Sequence, residues 1–269
     1  MDAPTLAGMT AVSPPSLEEP LTSGGLLAGR QDDGSRSPAT GISIIVPCWR
    51  NDAVPEEMAA RWLRDGKVRE VLVAAVGTLD SVVPATSLVR IVPCGRAGRG
   101  IQMNQAARVA TGDILLFHHA DTELTDEHLH SLDAALHRPE VIGGAFRRRF
   151  DERHPHLRWL EPWEALRCRL FGPVFGDQSL FVRRSIFEEL GGFAEVPLME
   201  DVEFSCRLRR RGRLTILTPH IGSSARKHLQ QGRWRTTLTN TLLLLLYVLG
   251  VSPHRLHGWY YRHRSKPKA

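Results

Sequence analysis

Side chains of the metal-ligand type follow an apolar run near the middle of the chain. Within GDILLFHHADTEL, residues 112–124, the four apolar residues 114–117 predict a short buried strand. His118, His119 and Asp121 come directly after this strand. Ligands of an open α/β sheet bind outside the carboxyl ends of its strands, so Asp121 is well placed to hold a divalent cation against a phosphate. The alternative is that Asp121 only caps the helix that follows.

Three carboxylates are crowded into the first turn of another predicted helix. The sequence PLMEDVEFSCRLRRRGR places Glu200, Asp201 and Glu203 at the start of this helix, which then becomes strongly basic. Acids at a helix N-terminus complement the helix dipole, and this structural explanation is sufficient by itself. Paired carboxylates are also used in general-base chemistry, where a neighbouring like charge raises one pKa.

The glycine-rich turn GRAGRG, residues 95–100, precedes a helix and contains Arg96 and Arg99. Backbone N–H groups at a helix N-terminus and guanidinium groups both favour anions, so this turn is a candidate diphosphate site. It lacks the GK[ST] ending of a nucleotide-triphosphatase loop. A solvated turn is the alternative.

The order of the elements predicts an α/β fold with a mostly parallel sheet and helices on its faces. We expect the first strand to be stopped by Pro47. Strands are predicted over 42–47, 70–76, 88–92, 114–117, 141–150 and 179–182, and helices over 55–65, 125–136 and 159–171, after 99, from 185 and from 200.

Length and composition favour a single catalytic domain in a chain of 269 residues. Residues 1–40 are rich in Pro, Gly, Ser and Thr and predict a disordered leader without the features of a secretory signal. We therefore divide the chain into this leader, a domain over 41–230 and a helical extension with a basic tail over 231–269. The cytoplasm is the expected compartment. Four widely spaced cysteines indicate reduced thiols: Cys48, Cys94, Cys168 and Cys206.

Clustered basic residues and an apolar run near the C-terminus indicate possible contact with an anionic partner or a membrane surface. The net charge is +6, and clustered basic residues suit an anionic membrane, nucleic acid, a phosphorylated substrate or simply a solvated face. The apolar run LTNTLLLLLYVLG, residues 238–250, is too short to span a bilayer. An interfacial helix and a buried core helix are both compatible with this run.

Several motifs in order resemble family 2 glycosyltransferases, which have the nucleotide-sugar-binding, Rossmann-like GT-A fold. The resemblance rests on GRAGRGIQMNQAARVATGDILLFHHADTEL, FGDQSLFVRRSIFEELGGF, PLMEDVEFSCRLRRRGRL and SARKHLQQGRWRTTLTNTLLLLLYVLGVSP, and it covers about residues 41–261. More narrowly, the chain resembles the bacterial branch of radical-SAM/selenodomain-associated transferases, which is linked to arsenosugar biosynthesis.

This resemblance implies a metal-assisted transfer of a sugar from a nucleotide-sugar to a hydroxyl of a small-molecule or lipid-linked acceptor. The configuration at the anomeric carbon would be inverted, and nucleic acid is not an expected partner. Asp121 would bind Mn²⁺ or Mg²⁺, with His228 closing the metal site from the C-terminal side. Asp201 would be the general base, with Glu200 alongside it. The remaining implied contacts are the donor-sugar or acceptor pocket with Asp177 and Gln178, and the diphosphate with Arg96 or Arg99.

Two departures from the family pattern concern the donor nucleotide. The chain has VPCWRND where relatives have a VPTLNE-like stretch, which makes Asp52 the candidate nucleotide-contacting carboxylate. Ala75 stands where relatives carry the Asp that reads the base. Either Asp80 substitutes for it, the donor nucleotide differs, or the chain is a catalytically silent nucleotide- or glycan-binding protein. A nucleotidyltransferase is a weaker alternative, because the MED motif and the C-terminal match argue against it.

Overall fold

The structure is a computed structural model, and it describes residues 41–49, 54, 56–77, 88–120, 122–149, 178–222 and 233–264. All of these residues belong to one compact unit, Ser37–Ala269. The predicted leader over 1–40 and the predicted helix over 159–171 lie outside the described residues.

A mixed sheet of seven strands forms the centre of the described part of the chain, in the order β3-β2-β1-β4-β6-β5-β7. Neighbouring strands are parallel, except that β6 is antiparallel to both β4 and β5. The prediction of a mostly parallel α/β sheet is therefore confirmed. The strands are β1 (Ile42–Trp49), β2 (Val68–Val76), β3 (Val89–Pro93), β4 (Ile114–Phe117), β5 (Val141–Arg149), β6 (Leu180–Arg183) and β7 (Arg213–Gly222).

Helices cover both faces of this sheet. Successive strand residues point to opposite faces, so Ile44 packs in one core with Trp62 and Leu129, whereas Ile45 packs in the other with Met103 and Phe204. Helices α1 and α3 therefore lie on one face, and α2, α4 and α5 on the other. The helices of the described residues are α1 (Glu56–Arg64), α2 (Arg99–Val109), α3 (Asp126–Leu136), α4 (Arg184–Glu189), α5 (Glu200–Arg211), α6 (Arg233–Val248) and α7 (Pro253–Arg264).

The expectation that Pro47 stops the first strand is wrong, because β1 continues through Pro47 to Trp49. The Ile45 carbonyl accepts a hydrogen bond from His118 N–H, 2.9 Å, on the side of β1 that faces β4. Pro47 lies two residues further and faces the same side, beyond Phe117, the last residue of β4. The missing proline N–H therefore removes no hydrogen bond from the sheet.

The direction of β6 decides which residues reach the carboxyl edge of the sheet. Phe117, the last residue of β4, pairs with Leu180, the first residue of β6. The residues just before β6, Gln178 and Ser179, therefore lie at the edge where β4 ends, beside His118. An entirely parallel sheet would have placed them at the opposite edge.

Glu70 closes the opposite, amino edge of the sheet. Its Oε1 accepts hydrogen bonds from Ser43 Oγ (2.8 Å), Thr111 N (2.6 Å) and Thr111 Oγ1 (2.8 Å). Burial raises the pKa of Glu70, but these hydrogen bonds and the charge of Arg90 outweigh burial and lower it overall. Glu70 is thus a buried anion with a structural role, away from the candidate site.

The two C-terminal helices pack against the start of α5. Leu243 and Leu244 of α6 and Leu256 of α7 share a buried cluster with Met199 and Val202. The predicted apolar run therefore lies largely in α6, and one side of it is buried in the protein. Within the part of the chain that the structure describes, no helix is both long and apolar enough to cross a membrane.

Candidate active site

Two strained backbone positions mark the motifs that the sequence analysis singled out. Ser179, with φ of 51°, and Met199, with φ of 67°, are the non-glycine residues with positive φ in the described ranges. Ser179 follows Gln178, and Met199 precedes Glu200. Residues other than glycine adopt this left-handed conformation at a cost, and such residues cluster at active sites and ligand clamps.

Glu200 is a buried carboxyl at the first residue of α5. Only 7% of Glu200 is exposed, and its Oε1 lies 3.9 Å from Arg99 Nε. Burial and, to a smaller extent, the charge of Asp201 raise the pKa of Glu200 to about 7, although the charge of Arg99 opposes the shift. A carboxyl with this pKa can hold or release a proton near neutral pH.

Gly100 allows the glycine-rich turn and the MED motif to meet. A Cβ at Gly100 would lie 2.8 Å from the Ala194 carbonyl oxygen and 3.4 Å from Glu200 Cβ. Helix α2, which contains Gly100, also holds the loop before α5. Asn104 Nδ2 donates to the Phe193 carbonyl (2.8 Å), and Phe193 N donates to Asn104 Oδ1 (2.9 Å). The start of α2 therefore lies directly against the start of α5.

The three predicted carboxylates of α5 have different surroundings. Asp201 is half-buried, and its Oδ1 accepts a hydrogen bond of 2.7 Å from Val202 N. Glu203 instead forms a two-pronged pair with Arg207, with both N···O distances at 2.6 Å. Arg207 also donates to the Gly192 carbonyl, so Glu203 helps to hold the preceding loop. Only Glu200 and Asp201 thus remain as candidates for proton transfer.

His118 is a site residue to which sequence reasoning assigned no role. It is fully buried, with Nδ1 2.7 Å from Ser179 Oγ and Nε2 3.1 Å from the Thr122 carbonyl oxygen. Since a carbonyl only accepts hydrogen bonds, Nε2 carries a proton. The ring also meets Trp62 edge-on at 5.2 Å. His118 thereby joins the segment after β4 to the segment before β6.

Replacing His118 with Phe is expected to lower the free energy of unfolding by about 1–3 kcal/mol, because two buried groups lose a hydrogen-bond partner. Urea denaturation measures this change. The matched control is His137→Phe, since His137 is an exposed histidine whose Nδ1 lies 2.9 Å from the carbonyl oxygen of Asp133. An equal decrease in the free energy of unfolding in both variants would contradict a stabilising contribution from the two buried hydrogen bonds of His118.

The two arginines of the glycine-rich turn lie in different environments. Arg96 has a side chain that is 73% exposed and pairs with Glu195 at 3.2 Å. The Arg99 side chain is 30% exposed and faces Glu200. The structure therefore brings Arg99, rather than Arg96, to the carboxylates of α5.

The carboxyl ends of β1 and β2 are joined by another residue that sequence reasoning missed. Gln102 is buried, and its Nε2 donates to the Cys48 carbonyl (2.7 Å) and to the Ala74 carbonyl (2.8 Å). A polar residue at a buried helical position was the available signal. Ala75 pairs with Cys48 and is only 3% exposed. As an alanine, it provides no carboxylate at this strand position.

Among the remaining predicted site residues, the structure describes Gln178. Gln178 is buried at the edge of the sheet, 3% exposed. The alternative that a residue at 121 caps α3 is wrong, because Thr125 is the N-cap and forms a capping box with His128. Within the described ranges no group of three metal-ligand side chains occurs. Five predicted residues lie outside the described residues: Asp52, Asp80, Asp121, Asp177 and His228.

The chain is similar to several solved structures at low sequence identity. A mannosyltransferase from Pyrobaculum calidifontis, in complex with GDP-Man and Mn²⁺, is 22% identical, with 83% of this chain and 70% of that chain covered and a TM-score of 0.52. Glucosyl-3-phosphoglycerate synthase from Mycobacterium tuberculosis is 19% identical, with 55% of this chain and 57% of that chain covered and a TM-score of 0.39. Mannosyl-3-phosphoglycerate synthase from Rubrobacter xylanophilus is 20% identical, with 55% of each chain covered and a TM-score of 0.42.

The Pyrobaculum structure supports the GT-A fold, whereas the chain spans little more than half of the mycobacterial synthase. No curated protein matches the sequence. The model of glycosyl transferase family 2 matches residues 64–212, which contain β2 to β6 and the whole of α5. This match covers more than half of the chain and includes the glycine-rich turn and the MED motif, so the chain belongs to glycosyl transferase family 2.

Proposed function

We propose that this member of family 2 is an inverting glycosyltransferase, which moves a sugar from a nucleotide-sugar donor to a hydroxyl group of an acceptor. The observation that carries this proposal is the pairing of Glu200 and Asp201 at the start of α5, with Arg99 3.9 Å from Glu200. One carboxylate is buried with a raised pKa, and the other is half-buried. This arrangement supplies a proton acceptor beside a cation that suits an anionic donor.

The proposed step is a single displacement at the anomeric carbon. The Asp201 carboxylate takes the proton of the acceptor hydroxyl while the acceptor oxygen attacks the anomeric carbon. The bond from that carbon to the diphosphate oxygen breaks, and the nucleoside diphosphate leaves with the electron pair. One in-line displacement inverts the configuration. Glu200, which directly precedes Asp201 in α5, adjusts the local charge through its own proton.

The donor is proposed to lie along the carboxyl edge of the sheet. Arg99, with Arg96 nearby in sequence, would contact the diphosphate, and Gln178 and Asp177 would line the sugar or acceptor pocket. Asp52 would contact the nucleotide. Since Ala75 carries no carboxylate, recognition of the base falls to another residue, for which Asp80 is the proposed substitute.

A divalent cation is part of the proposal. Asp121 and His228 would hold Mn²⁺ or Mg²⁺, because a carboxylate supplies the oxygen ligand that both ions prefer. When bound, the ion neutralises charge on the leaving nucleoside diphosphate. The mannosyltransferase of the same fold was solved with GDP-Man and Mn²⁺, which supports this assignment.

The narrower assignment is the branch linked to arsenosugar biosynthesis, with a cytoplasmic enzyme and a small-molecule or lipid-linked acceptor. It is supported by the order of the HADT, GDQ and MEDVE motifs. The alternative function is a silent nucleotide- or glycan-binding protein on the same fold. The buried Ala75 at the end of β2 is the observation that favours it.

Donor turnover distinguishes these functions. A panel of nucleotide-sugars would be assayed for hydrolysis and transfer, with Mn²⁺ and with a chelator. We expect Asp121→Ala to lower Mn²⁺-dependent turnover at least about 100-fold. Loss of a direct metal ligand should reduce activity at least as much as loss of a residue that orients a ligand. Asp113→Ala is the matched control, since Asp113 is exposed at the other end of β4.

Turnover that does not require metal, or an Asp121→Ala variant as active as the wild type, would contradict the metal-assisted mechanism. Saturable donor binding without turnover would favour the silent binding protein. No binding of any donor would contradict both functions.

A further inference from the structure

Helix α6 has a second, exposed apolar side. Its buried side contributes Leu243 and Leu244, which are 2% and 6% exposed. The other side presents four apolar side chains that are between 42% and 71% exposed: Leu242, Leu245, Val248 and Leu249. Leu249 N still donates to the Leu245 carbonyl, 2.9 Å, so the helical spacing extends to it. We call these four residues the leucine surface.

The leucine surface is a contiguous row, because its residues are spaced by three or four positions along one helix face. Single exposed apolar side chains are common in soluble proteins, whereas contiguous rows of them mark interaction sites. The buried side of the same helix packs in a cluster with Met199 and Val202. The fold therefore holds α6 in an orientation that leaves this row directed outward.

The charge of the surrounding segment indicates the partner. Residues 233–264 contain five arginines and no Asp or Glu, and Lys266 and Lys268 follow. Arg255 and Arg262 of α7 are exposed, and Tyr261, which precedes Arg262 in the sequence, is 53% exposed. A segment that combines exposed apolar and aromatic side chains with arginines suits the boundary between lipid headgroups and acyl chains.

A second copy of the chain fits this surface less well. A symmetric dimer through α6 would bring two acid-free, basic segments together, and their like charges would repel. A surface of anionic lipid instead complements the arginines and accepts the leucines. Each basic residue near such a surface adds to this attraction.

We propose that the leucine surface docks this protein onto an anionic membrane. Helix α6 has 16 residues, so it would lie in the plane of the interface and not cross it. Because the buried side of α6 packs with Met199, the residue before Glu200, docking would hold the start of α5 on the membrane-facing side of the protein. This inference does not depend on the donor or on catalysis.

Vesicle co-sedimentation of the full-length protein tests the proposal. We expect binding to vesicles of phosphatidylcholine mixed with phosphatidylserine, weaker binding to phosphatidylcholine alone, and loss of binding as salt is raised. The double variant Leu245→Gln, Leu249→Gln is expected to bind at least about tenfold more weakly, because two inserted apolar side chains are removed. Leu88→Gln is the matched control, since Leu88 is 49% exposed directly before β3.

Thermal unfolding of each variant shows whether it is folded, which is expected because all three positions are exposed. The proposal is overturned if the wild type does not bind the mixed vesicles, or if the double variant binds as tightly as the wild type. It is also overturned if the wild type is a dimer in solution that the double variant converts to monomers, since a second copy would then be the occupant.

Discussion

Replacing Asp201 with Asn is expected to lower kcat by about 10²–10⁴-fold, the usual contribution of a general base. The amide of Asn keeps the size of the side chain and can still accept the hydrogen bond that Val202 N donates to Oδ1, 2.7 Å. It cannot take a proton from the acceptor hydroxyl. KM for the donor is expected to change little, because Asp201 is proposed to act on the acceptor. Steady-state kinetics with the best donor of the panel measures both constants.

Asp126→Asn provides a matched control for this result. Asp126 is also an acid in the first turn of a helix, where it complements the dipole of α3 and lies 3.5 Å from Arg61. We expect the Asp126 variant to retain the wild-type kcat. If kcat of the Asp201 variant stays within about twofold of the wild type, the proton acceptor of the reaction is another residue.

Replacing Glu200 with Gln is expected to stabilise the protein at alkaline pH. Burial, followed by the charge of Asp201, raises the pKa of Glu200 from 4.5 to about 7. The folded state therefore keeps the proton longer than the unfolded state, and the ionisation of Glu200 costs stability as pH rises from about 4.5 to about 7. Above that range the cost is ~3 kcal/mol. A neutral Gln removes this cost.

Urea denaturation at about pH 4 and about pH 8 measures the difference between the variant and the wild type. We expect the stability of the variant relative to the wild type to be higher at the upper pH. The contrast is Glu203→Gln, which removes the pair with Arg207 and is expected to destabilise the protein at the upper pH. A Glu200 variant with the same relative stability at both pH values would contradict the raised pKa.

The Asp201→Asn background separates the two causes of the raised pKa. Without the charge of Asp201, the pKa of Glu200 should fall, and the gain from Glu200→Gln should shrink but not vanish, because burial is the larger cause.

Local patterns in the sequence were sufficient to predict most of the sheet and its flanking helices. The apolar run before His118 and the glycine-rich turn before α2 both lie where they were predicted. Strand β7 was not predicted, because its sequence follows a basic run and contains Pro219, so no simple alternation marks it. It lies at the edge of the sheet beside β5, where proline is tolerated.

The candidate site was predicted only where chemistry coincides with a motif. The carboxylates of α5 stand out by their type and spacing, so Glu200 and Asp201 were named. The sequence did not show that Glu200 is buried, whereas Glu203 pairs with Arg207. Arg207 lies four residues after Glu203, but it also donates to the Gly192 carbonyl in the preceding loop, and this contact could not be predicted. The hydrogen-bonding roles of His118 and Gln102 were not predicted, because they depend on segments that are distant in sequence.

The reversed direction of β6 has a practical consequence for protein engineering. The parallel strands end at the carboxyl edge of the sheet, where the candidate site lies. Strand β6 instead begins at this edge and ends at the amino edge. A peptide tag inserted at the junction of β6 and α4 would therefore emerge at the amino edge, where Arg184 N donates to the Asp113 carbonyl, 2.8 Å. The same tag inserted directly before Gln178 would emerge among the residues proposed to line the sugar or acceptor pocket.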